Sequence, residues 1–288
     1  MRIIENLAEM RETAKGIAVS RRSCGLVPTM GALHDGHLSL MRRSSGENDV
    51  SIISIFVNPT QFMPGEDFDS YPRTWEADVE AAEKNGVDII FHPAPEDMYP
   101  SRSQTSVMVH GLTRSLCGMS RGQGHFRGVT TVVAKLFNLV QPTRAYFGQK
   151  DAQQAVVIQR MALDLNFPVE IIVCPIVRET DGLAMSSRNR NIPPEYRQRA
   201  LVLRQALQLG RELVQGGETD PVVISNAMGE HILGDNEIEL DYLEIVSPET
   251  LETVEKLDDL VLIAGAIKIG GVRLIDNILI GPNGPWED

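Results

Sequence analysis

The residue types best suited to chemistry stand in one stretch, Pro28-Thr29-Met30-Gly31-Ala32-Leu33-His34-Asp35-Gly36-His37. His34 and His37 are three positions apart, so near the start of a helix they share one face. Gly31 and Gly36 let the backbone approach a ligand closely. The free N–H groups at a helix start attract anions, and two imidazoles beside them can donate to phosphate oxygens. The stretch therefore predicts a phosphate site; the alternative is a pair of histidines bonded to local backbone.

Two later segments could add positive charge to such a site. Lys150 lies in Gly148-Gln149-Lys150-Asp151 after a short apolar segment, and Arg188 follows two hydroxyls in Met185-Ser186-Ser187-Arg188. Ammonium and guanidinium groups both bind phosphate oxygens, and neighbouring hydroxyls can add hydrogen bonds. The alternatives are a solvated surface lysine and a polar linker between domains, and we favour the functional interpretation for both segments.

The elements that must position these residues alternate over the first 176 residues. Predicted strands cover residues 25–28, 50–57, 87–91, 144–147 and 169–173, and predicted helices cover residues 38–43, 75–85, 129–140 and 151–165. This order predicts an α/β fold with a Rossmann-like, doubly wound parallel sheet. Ligands bind such sheets at the carboxyl ends of the strands. Both the histidine pair and Lys150 follow a predicted strand.

The pattern changes near residue 177. Apolar residues recur at helical spacing over residues 200–214, and residues 238–242 alternate strictly between apolar and polar, as a half-exposed strand does. Further strands are predicted at residues 260–263 and 272–275. We therefore predict two domains, a Rossmann-like domain of residues 1–176 and a smaller α+β domain of residues 177–288.

Composition excludes several classes of protein. The chain has 288 residues, 42% hydrophobic and 23% charged, which is ordinary for a globular protein, and it has no apolar run long enough to cross a membrane. The first residues do not resemble a signal peptide, so we expect a cytoplasmic protein. The three cysteines are far apart, which argues against a disulfide framework and against structural zinc.

The negative charge lies mostly in the second half of the chain. The net charge is −12; residues 1–176 carry 17 Lys and Arg against 19 Asp and Glu, whereas residues 177–288 carry 10 against 20. An acidic half argues against a nucleic-acid partner, because nucleic-acid binding needs basic patches.

Six sequence blocks in one order carry a family resemblance. His34-x-Gly36-His37 resembles the nucleotide-binding signature of class I aminoacyl-tRNA synthetases and related nucleotidyltransferases. Together with five further blocks it resembles the pantoate–β-alanine ligase family, from Arg2 to about Asn277. These blocks are Val57-Asn58-Pro59-Thr60-Gln61-Phe62, Asp69-x-Tyr71-Pro72-Arg73-Thr74, His125-Phe126-x-Gly128-Val129, Phe147-Gly148-x-Lys150-Asp151-x-Gln153-Gln154 and Asp181-Gly182-Leu183-Ala184-Met185-Ser186-Ser187-Arg188-Asn189.

The resemblance implies an AMP-forming acid–amino-acid ligase. The carboxylate of (R)-pantoate attacks the α-phosphate of ATP to give pantoyl adenylate and pyrophosphate. The amine of β-alanine then attacks the acyl carbon to give pantothenate and AMP. Mg²⁺ accompanies the nucleotide, and the family suggests a homodimer that needs neither nucleic acid nor a membrane.

The resemblance also implies roles for individual residues. The catalytic residues are His34, His37, Lys150 and Arg188. The residues implied to bind ATP are Met30, Gly31, Ala32, Leu33, His34, Asp35, Gly36, His37, Gly148, Gln149, Lys150, Asp151, Val177, Met185, Ser186, Ser187 and Arg188. The residues implied to bind pantoate are Gln61, Gln154, Asn58 and Phe62, with Gln61 also near β-alanine. The resemblance makes residues 1–176 a nucleotide- and pantoate-binding domain and residues 177–288 a C-terminal lid domain. No metal ligand is assigned.

Other polar residues receive plainer expectations. Asp78 is expected to be a solvated helix carboxylate, although the family would allow a magnesium role. His125 is expected to cap or pack the following helix, and His92 receives no role. The chain departs from the usual family pattern at Cys117 and Gln149, where glutamate is usual, and at Ala152, where an aromatic residue is usual.

Two rival functions stay open. A nucleotidyltransferase acting on a phosphate ester would keep the His34-x-Gly36-His37 motif but should lack the Gln61 and Gln154 pair. A non-catalytic nucleotide- or RNA-binding module descended from a synthetase is the second rival.

Overall fold

A computed structural model describes residues 1–66 and 68–281 of the chain, so residues 282–288 of the predicted second domain lie outside the described residues. The strands are β1 (Arg2–Ile4), β2 (Cys24–Thr29), β3 (Val50–Ile55), β4 (Ile89–Phe91), β5 (Arg144–Gly148), β6 (Glu170–Cys174), β7 (Glu239–Val246), β8 (Val261–Ile269) and β9 (Val272–Ile280). The α-helices are α1 (Leu7–Val19), α2 (Asp35–Glu47), α3 (Trp75–Lys84), α4 (Pro95–Met98), α5 (Cys117–Val140), α6 (Ala152–Asp164), α7 (Val202–Gln215) and α8 (Pro221–Leu233). Short 3-10 helices cover Pro59–Gln61, Gln149–Asp151, Ser187–Asn191, Pro194–Tyr196 and Arg199–Leu201.

The first six strands form one parallel sheet in the order β1-β4-β3-β2-β5-β6. From β2 the chain winds outward through β3 and β4, and from β5 it winds the other way to β6. The winding direction therefore changes between β2 and β5, which is where sheets of this class bind ligands. The predicted Rossmann-like α/β fold is confirmed.

The sequence of β3 explains its place inside the sheet. Every residue from Val50 to Ile55 is buried, because helices cover both faces of a parallel sheet and leave no polar side to a central strand. On one face, Val27 and Ile53 pack with Leu40 and Met41 of α2 and with Ala82 of α3. This core holds α2 against the sheet and fixes where its first turn begins.

The last three strands form an antiparallel sheet in the order β7-β8-β9. Apolar side chains of α7 and α8, including Leu207 and Ile232, share a buried cluster with Ile263 and Ile278 of this sheet. This smaller α+β arrangement is the one predicted. Both β8 and β9 run several residues past the predicted strands, because the Gly270-Gly271 turn, with φ of 55° and 77°, joins them into one long hairpin.

Three element predictions need correction. Helix α2 begins at Asp35, not at Leu38, and so contains His37 in its first turn. The predicted helix at residues 129–140 is the end of the longer α5, whose backbone leaves helical geometry at Gly122 (φ 76°, ψ 165°). The predicted strand at residues 87–91 shortens to β4, and β1, α1, α4 and α8 were not predicted from the sequence.

By its contacts the chain divides into two compact units. Unit 1 comprises residues 1–110, 121–148 and 157–174, and unit 2 comprises residues 111–120, 149–156 and 175–288. The lid role of residues 177–288 stays a prediction. Among residues 1–66 and 68–281, no helix has the length and apolar character that a membrane crossing requires.

Candidate active site

The predicted phosphate loop follows β2, the strand at which the winding direction of the sheet changes. Gly31 and Ala32 both take positive φ, 82° and 51°, which turns the chain from the strand into α2. His34 is the N-cap of α2, and His37 lies in its first turn. The two imidazole centroids are 4.1 Å apart. The structure thus brings the two histidines together at a helix N-terminus, as predicted.

The proton of His37 can be assigned from its hydrogen bond. The backbone N–H of His34 donates to Nδ1 of His37 over 3.3 Å. Because Nδ1 accepts a hydrogen bond, the proton of the neutral ring lies on Nε2. The local-backbone alternative thus holds for Nδ1 of His37, and the His34 side chain likewise accepts the backbone N–H of His37, so the two rings form a capping box. The Nε2–H of His37 is the ring donor of a kind suited to an anion.

Asp78 contradicts the expectation of a solvated carboxylate. It lies on α3 and is only 2% exposed. Its two oxygens accept the backbone N–H groups of Ala32 (2.9 Å) and Leu33 (2.8 Å), and Oδ1 also accepts the hydroxyl of Thr74. The expectation failed because its partners lie more than forty residues earlier, beyond the reach of local spacing. Asp78 therefore holds the phosphate loop, and the backbone N–H groups of Ala32 and Leu33 are already in use.

Gln61 is held next to this loop by a buried amide. Asn58, 1% exposed, donates through Nδ2 to Oε1 of Gln61 (3.0 Å) and to the carbonyl of Gly128 (3.1 Å). Gln61 in turn places its Nε2 3.0 Å from Sδ of Met30, directly after β2. The predicted pantoate residues Asn58 and Gln61 thus form one hydrogen-bonded pair beside the loop.

Phe62 and Gln154 have different surroundings. Phe62 packs edge-on against Phe68 and Tyr71, with ring centroids 5.2 and 5.9 Å away. Gln154 is half-buried on α6, in unit 2. Its pantoate role stays a prediction.

His125 and Arg121 continue the network around Gln61. The guanidinium of Arg121 donates to Nε2 of His125 (3.1 Å), so the proton lies on Nδ1, which donates to the carbonyl of Gln61 (2.8 Å). His125 thus fixes the Pro59–Gln61 turn besides packing on its own helix. Arg121 also pairs with Glu66 at 3.0 Å. Partial burial would raise the pKa of Glu66, but the hydrogen bonds from Arg121 and from the backbone of Met63 outweigh it and hold the pKa below its usual value.

A cavity of about 750 Å³, not foreseen from the sequence, opens beside the loop at the carboxyl ends of β2, β3 and β4. Met30, Phe56 and His92 line it, one after each strand. The ring of His92 stacks on Trp75 at 4.4 Å and bonds the carbonyl of Ile55 through Nδ1. The signal for His92 was its place directly after a predicted strand. The volume suits a small organic ligand.

In unit 2, Lys150 follows β5 on the 3-10 helix Gln149–Asp151. Its side chain is 19% exposed, and Nζ lies 3.5 Å from a carboxylate oxygen of Asp151. Gln149, 4% exposed, points its amide at Oδ1 of Asn277. Cys117 is the other position where glutamate is usual in the family. Its Sγ lies 3.6 Å from a terminal nitrogen of Arg273, and the carboxylate that pairs with this arginine is Asp241. Because the Lys150 side chain is mostly buried, the alternative of a fully solvated surface lysine is wrong.

The segment that carries Arg188 is folded back on itself. The backbone N–H of Met185 donates to the carbonyl of Val177 (3.0 Å), which closes a small hairpin. Ser186 caps the next 3-10 helix by accepting the backbone N–H of Arg188. Ser187 is 9% exposed. The structure thus gathers five of the predicted ATP residues, Val177, Met185, Ser186, Ser187 and Arg188, in one folded segment.

Within residues 1–66 and 68–281, no group of three or more His, Cys, Asp or Glu side chains is arranged to hold a metal ion. Asp78 is committed to backbone amides, whereas Asp151 is exposed. Mg²⁺ commonly binds through one or two carboxylates plus substrate phosphates. The residues present fit a magnesium ion of that kind through an exposed carboxylate such as Asp151, whose oxygen also lies 3.5 Å from Nζ of Lys150.

Comparison with known proteins gives one consistent family. The family model described as Pantoate-beta-alanine ligase matches residues 2–279. The chain is 54% identical over 281 residues to a pantothenate synthetase of Thermotoga neapolitana, covering 98% of this chain and 100% of that protein. It is 54% identical over 283 residues to one from Moorella thermoacetica, with the same coverage.

Solved structures agree with this result. The pantothenate synthetase of Thermus thermophilus superposes with a TM-score of 0.88 at 46% identity, over 96% of this chain and 98% of that one. The pantoate-beta-alanine ligase of Francisella tularensis, complexed with beta-gamma ATP and beta-alanine, gives a TM-score of 0.79 at 33% identity, over 98% of this chain and 100% of that one.

Proposed function

This chain belongs to the pantoate-beta-alanine ligase family, and from that premise we propose that it joins pantoate to β-alanine through an acyl adenylate. In the first step an oxygen of the pantoate carboxylate bonds to the α-phosphorus of ATP, and the bond from that phosphorus to pyrophosphate breaks. In the second step the amine of β-alanine attacks the acyl carbon, AMP leaves, and the nitrogen gives up a proton. The products are pantothenate, AMP and pyrophosphate.

The loop after β2 is the observation that carries this proposal. Attack on the α-phosphorus builds negative charge on phosphoryl oxygens, which fixed donors stabilise. The Nε2–H of His37, the ring of His34 and the N-terminus of α2 lie together in this loop and would supply such donors. Met30, Gly31, Asp35 and Gly36 shape the same turn. Ala32 and Leu33 would meet ATP through atoms other than their backbone N–H groups.

We assign Lys150 and Arg188 to the phosphates of ATP on the basis of their charge and the family resemblance. Lys150 carries a compact ammonium, and Arg188 a planar guanidinium that can hold two oxygens at once. Gly148, Gln149, Asp151, Val177, Met185, Ser186 and Ser187 form the two segments that present these cations. Mg²⁺, with the exposed carboxylate of Asp151 as a protein ligand, would neutralise charge on the phosphates when bound.

We assign pantoate to Gln61, Gln154, Asn58 and Phe62, with Gln61 also near β-alanine. Neutral amides can read the hydroxyls and carboxylate of a small hydroxy acid without neutralising the attacking oxygen. The bond from Asn58 leaves the amide N–H₂ of Gln61 directed toward Met30 and the phosphate loop, which supports a pantoate position beside that loop.

We further propose a cytoplasmic homodimer. The three cysteines carry no disulfides, and burial raises the pKa of the Cys24 thiol to about 12, so that it stays protonated. Free, buried thiols are typical of a reducing compartment. Sedimentation analysis of the purified protein decides the oligomeric state.

One assay tests the proposed function. Pantoate, β-alanine and ATP should give AMP and a product of the mass of pantothenate, and pantoate alone should support exchange of labelled pyrophosphate into ATP. Exchange that strictly needs β-alanine would contradict the free adenylate. A nucleotidylated phosphate ester in place of AMP would favour the nucleotidyltransferase, and RNA retained on a filter without turnover would favour the binding module.

A further inference from the structure

Two adjacent buried residues of β9 hold the segments that carry Lys150 and Arg188. Asp276 is 5% exposed and Asn277 is 2% exposed, although both are polar. Neighbouring residues of a strand point to opposite faces of the sheet. Buried polar side chains on both faces of one strand, at consecutive positions, need partners on both sides.

Asn277 holds the turn that carries Lys150. Its Nδ2 donates to the carbonyl of Gln149 (2.9 Å) and to the carbonyl of Lys150 (3.0 Å), which uses both amide protons. Its Oδ1 lies 3.4 Å from the side-chain nitrogen of Gln149. The amide therefore fixes the backbone from which the Lys150 side chain departs.

Asp276 holds the segment that leads to Arg188. Its two oxygens accept both terminal nitrogens of Arg178, at 2.7 and 3.1 Å, and Arg178 also donates to the carbonyl of Gly182. Arg178 and Gly182 belong to the hairpin that Val177 and Met185 close. One arm of that hairpin ends at Met185, three residues before Arg188.

The apolar neighbours of β9 also differ between its two faces, one next to the Lys150 turn and the other next to the Arg188 segment. Leu183 and Ile192, which flank the Arg188 segment, share a cluster with Leu274 and Ile278 of β9. Ala152 and Val156, which follow Lys150, pack in another cluster with Leu279. Even-numbered residues of β9 thus face the Arg188 segment, and odd-numbered residues face the Lys150 segment.

We propose that Asp276 and Asn277 are positioning residues for the phosphate-binding cations, Asn277 acting through Lys150 and Asp276 acting through Arg188. Neither residue needs to touch substrate. The proposal rests on the proposed function, because it assumes that both cations serve ATP. Partners that orient metal-binding side chains typically contribute about 10- to 100-fold to affinity or activity, and we expect an effect of similar size here.

The test measures adenylate formation by pantoate-dependent pyrophosphate exchange in a double-mutant cycle. Asn277→Ser should raise the KM for ATP and slow exchange about 10- to 100-fold, but should add little in a Lys150→Ala background. Asp276→Asn should mainly lower kcat, and should add little in an Arg188→Ala background. If each residue acts by positioning its cation, its substitution has no further effect once that cation has been removed.

The control for general damage is Asp241→Asn. It breaks another carboxylate–arginine pair of the same sheet, Asp241 with Arg273, and should leave exchange near the wild-type rate. If Asp276→Asn does not fold, Asp276→Glu keeps the charge and should show the same kcat loss to a smaller degree.

Losses that multiply in the double variants would show that Asp276 and Asn277 act independently of the two cations, and would overturn the proposal. A wild-type protein without pantoate-dependent exchange would instead overturn the proposed function, and this inference with it. Wild-type exchange with non-additive losses supports both.

Discussion

The two ring nitrogens of His37 have different proposed roles, capping α2 and binding phosphate, and single substitutions can distinguish these roles. Nδ1 accepts the backbone N–H of His34, and Nε2 carries the proton proposed to reach phosphate. Asparagine can keep an acceptor near the position of Nδ1 but has nothing at the position of Nε2. We therefore expect His37→Asn and His37→Ala to slow adenylate formation alike, by about 10² or more. Single-turnover formation of the adenylate is the measurement.

The matched control is His231→Ala, on the exposed surface of α8, which should react at the wild-type rate. Recovery of the rate by His37→Asn, with His37→Ala slow, would mean that the residue serves only to cap α2. Pantoate affinity should change little in any of these variants.

Gln61 and Gln154 are expected to bind pantoate and not ATP. Gln61→Ala and Gln154→Ala should each weaken pantoate binding roughly 10-fold, as loss of one or two hydrogen bonds would. Calorimetric titration with each ligand separates the two effects, and Gln208→Ala on α7 is the amide control. Equal weakening for pantoate and ATP would place neither glutamine in the pantoate pocket.

The residues with local signals could be predicted from the sequence, and those with remote partners could not. The turn at Gly31 and the helix start after His34 follow from residue types within ten positions. Asp78 looked like any exposed helix carboxylate, because its amide partners belong to another element. His92 looked isolated for the same reason, since its contacts with Trp75 and Ile55 arise only when the strands align.

At the scale of elements, β2 is held at each end by an aspartate from a neighbouring element. Asp49, just before β3, accepts the backbone N–H and hydroxyl of Ser23 at the amino end of β2. Asp78 accepts two backbone N–H groups in the loop at its carboxyl end. These two carboxylates make similar bonds, but only one holds the phosphate loop.

We expect Asp78→Asn to slow adenylate formation about 10- to 100-fold, because the new amide group turns N–H toward a backbone N–H and distorts the loop. Asp49→Asn should lower the melting temperature without slowing adenylate formation. The comparison uses thermal unfolding and pyrophosphate exchange on both variants. Parallel losses of rate and stability in the two variants would reduce Asp78 to a purely structural role.

Elements with a uniform environment were the easier ones to predict. β3 is apolar throughout because it is buried throughout, and α7 shows its buried stripe at helical spacing. β1 has only three residues, too few for a periodic signal. The first part of α5 is rich in glycine and polar residues, and Gly122 interrupts it, so its helical character comes from contacts rather than from propensity.

For the molecule as a whole, the Arg121–Glu66 pair predicts a loss of stability in acid. The native pKa of Glu66 lies below its usual value, so the pair stabilises the fold above the unfolded pKa of about 4.3. That contribution disappears as pH falls through the lowered native pKa. Glu66→Gln should cost about 1 kcal/mol or less in the free energy of unfolding at pH 7, and progressively less as pH falls through the lowered native pKa.

Urea unfolding of the wild type and the variant at several pH values tests this expectation. Glu80→Gln is the control, since Glu80 pairs with Lys84 on an exposed helix face and should cost less. A Glu66→Gln deficit that stays constant from pH 7 to pH 3 would show that charge on Glu66 is not its source.

The chain passes from one compact unit to the other at five points, after residues 110, 120, 148, 156 and 174. During synthesis, every strand of the parallel sheet has therefore left the ribosome before most of unit 2 exists. Leu116 and Val156 then lack Val246 and Leu262, the later residues of their cluster. The nascent polypeptide exposes these apolar side chains until β8 has been synthesised, so we expect it to bind chaperones during translation. Because each unit is built from three separate ranges of the sequence, neither unit can be produced as a single uninterrupted fragment.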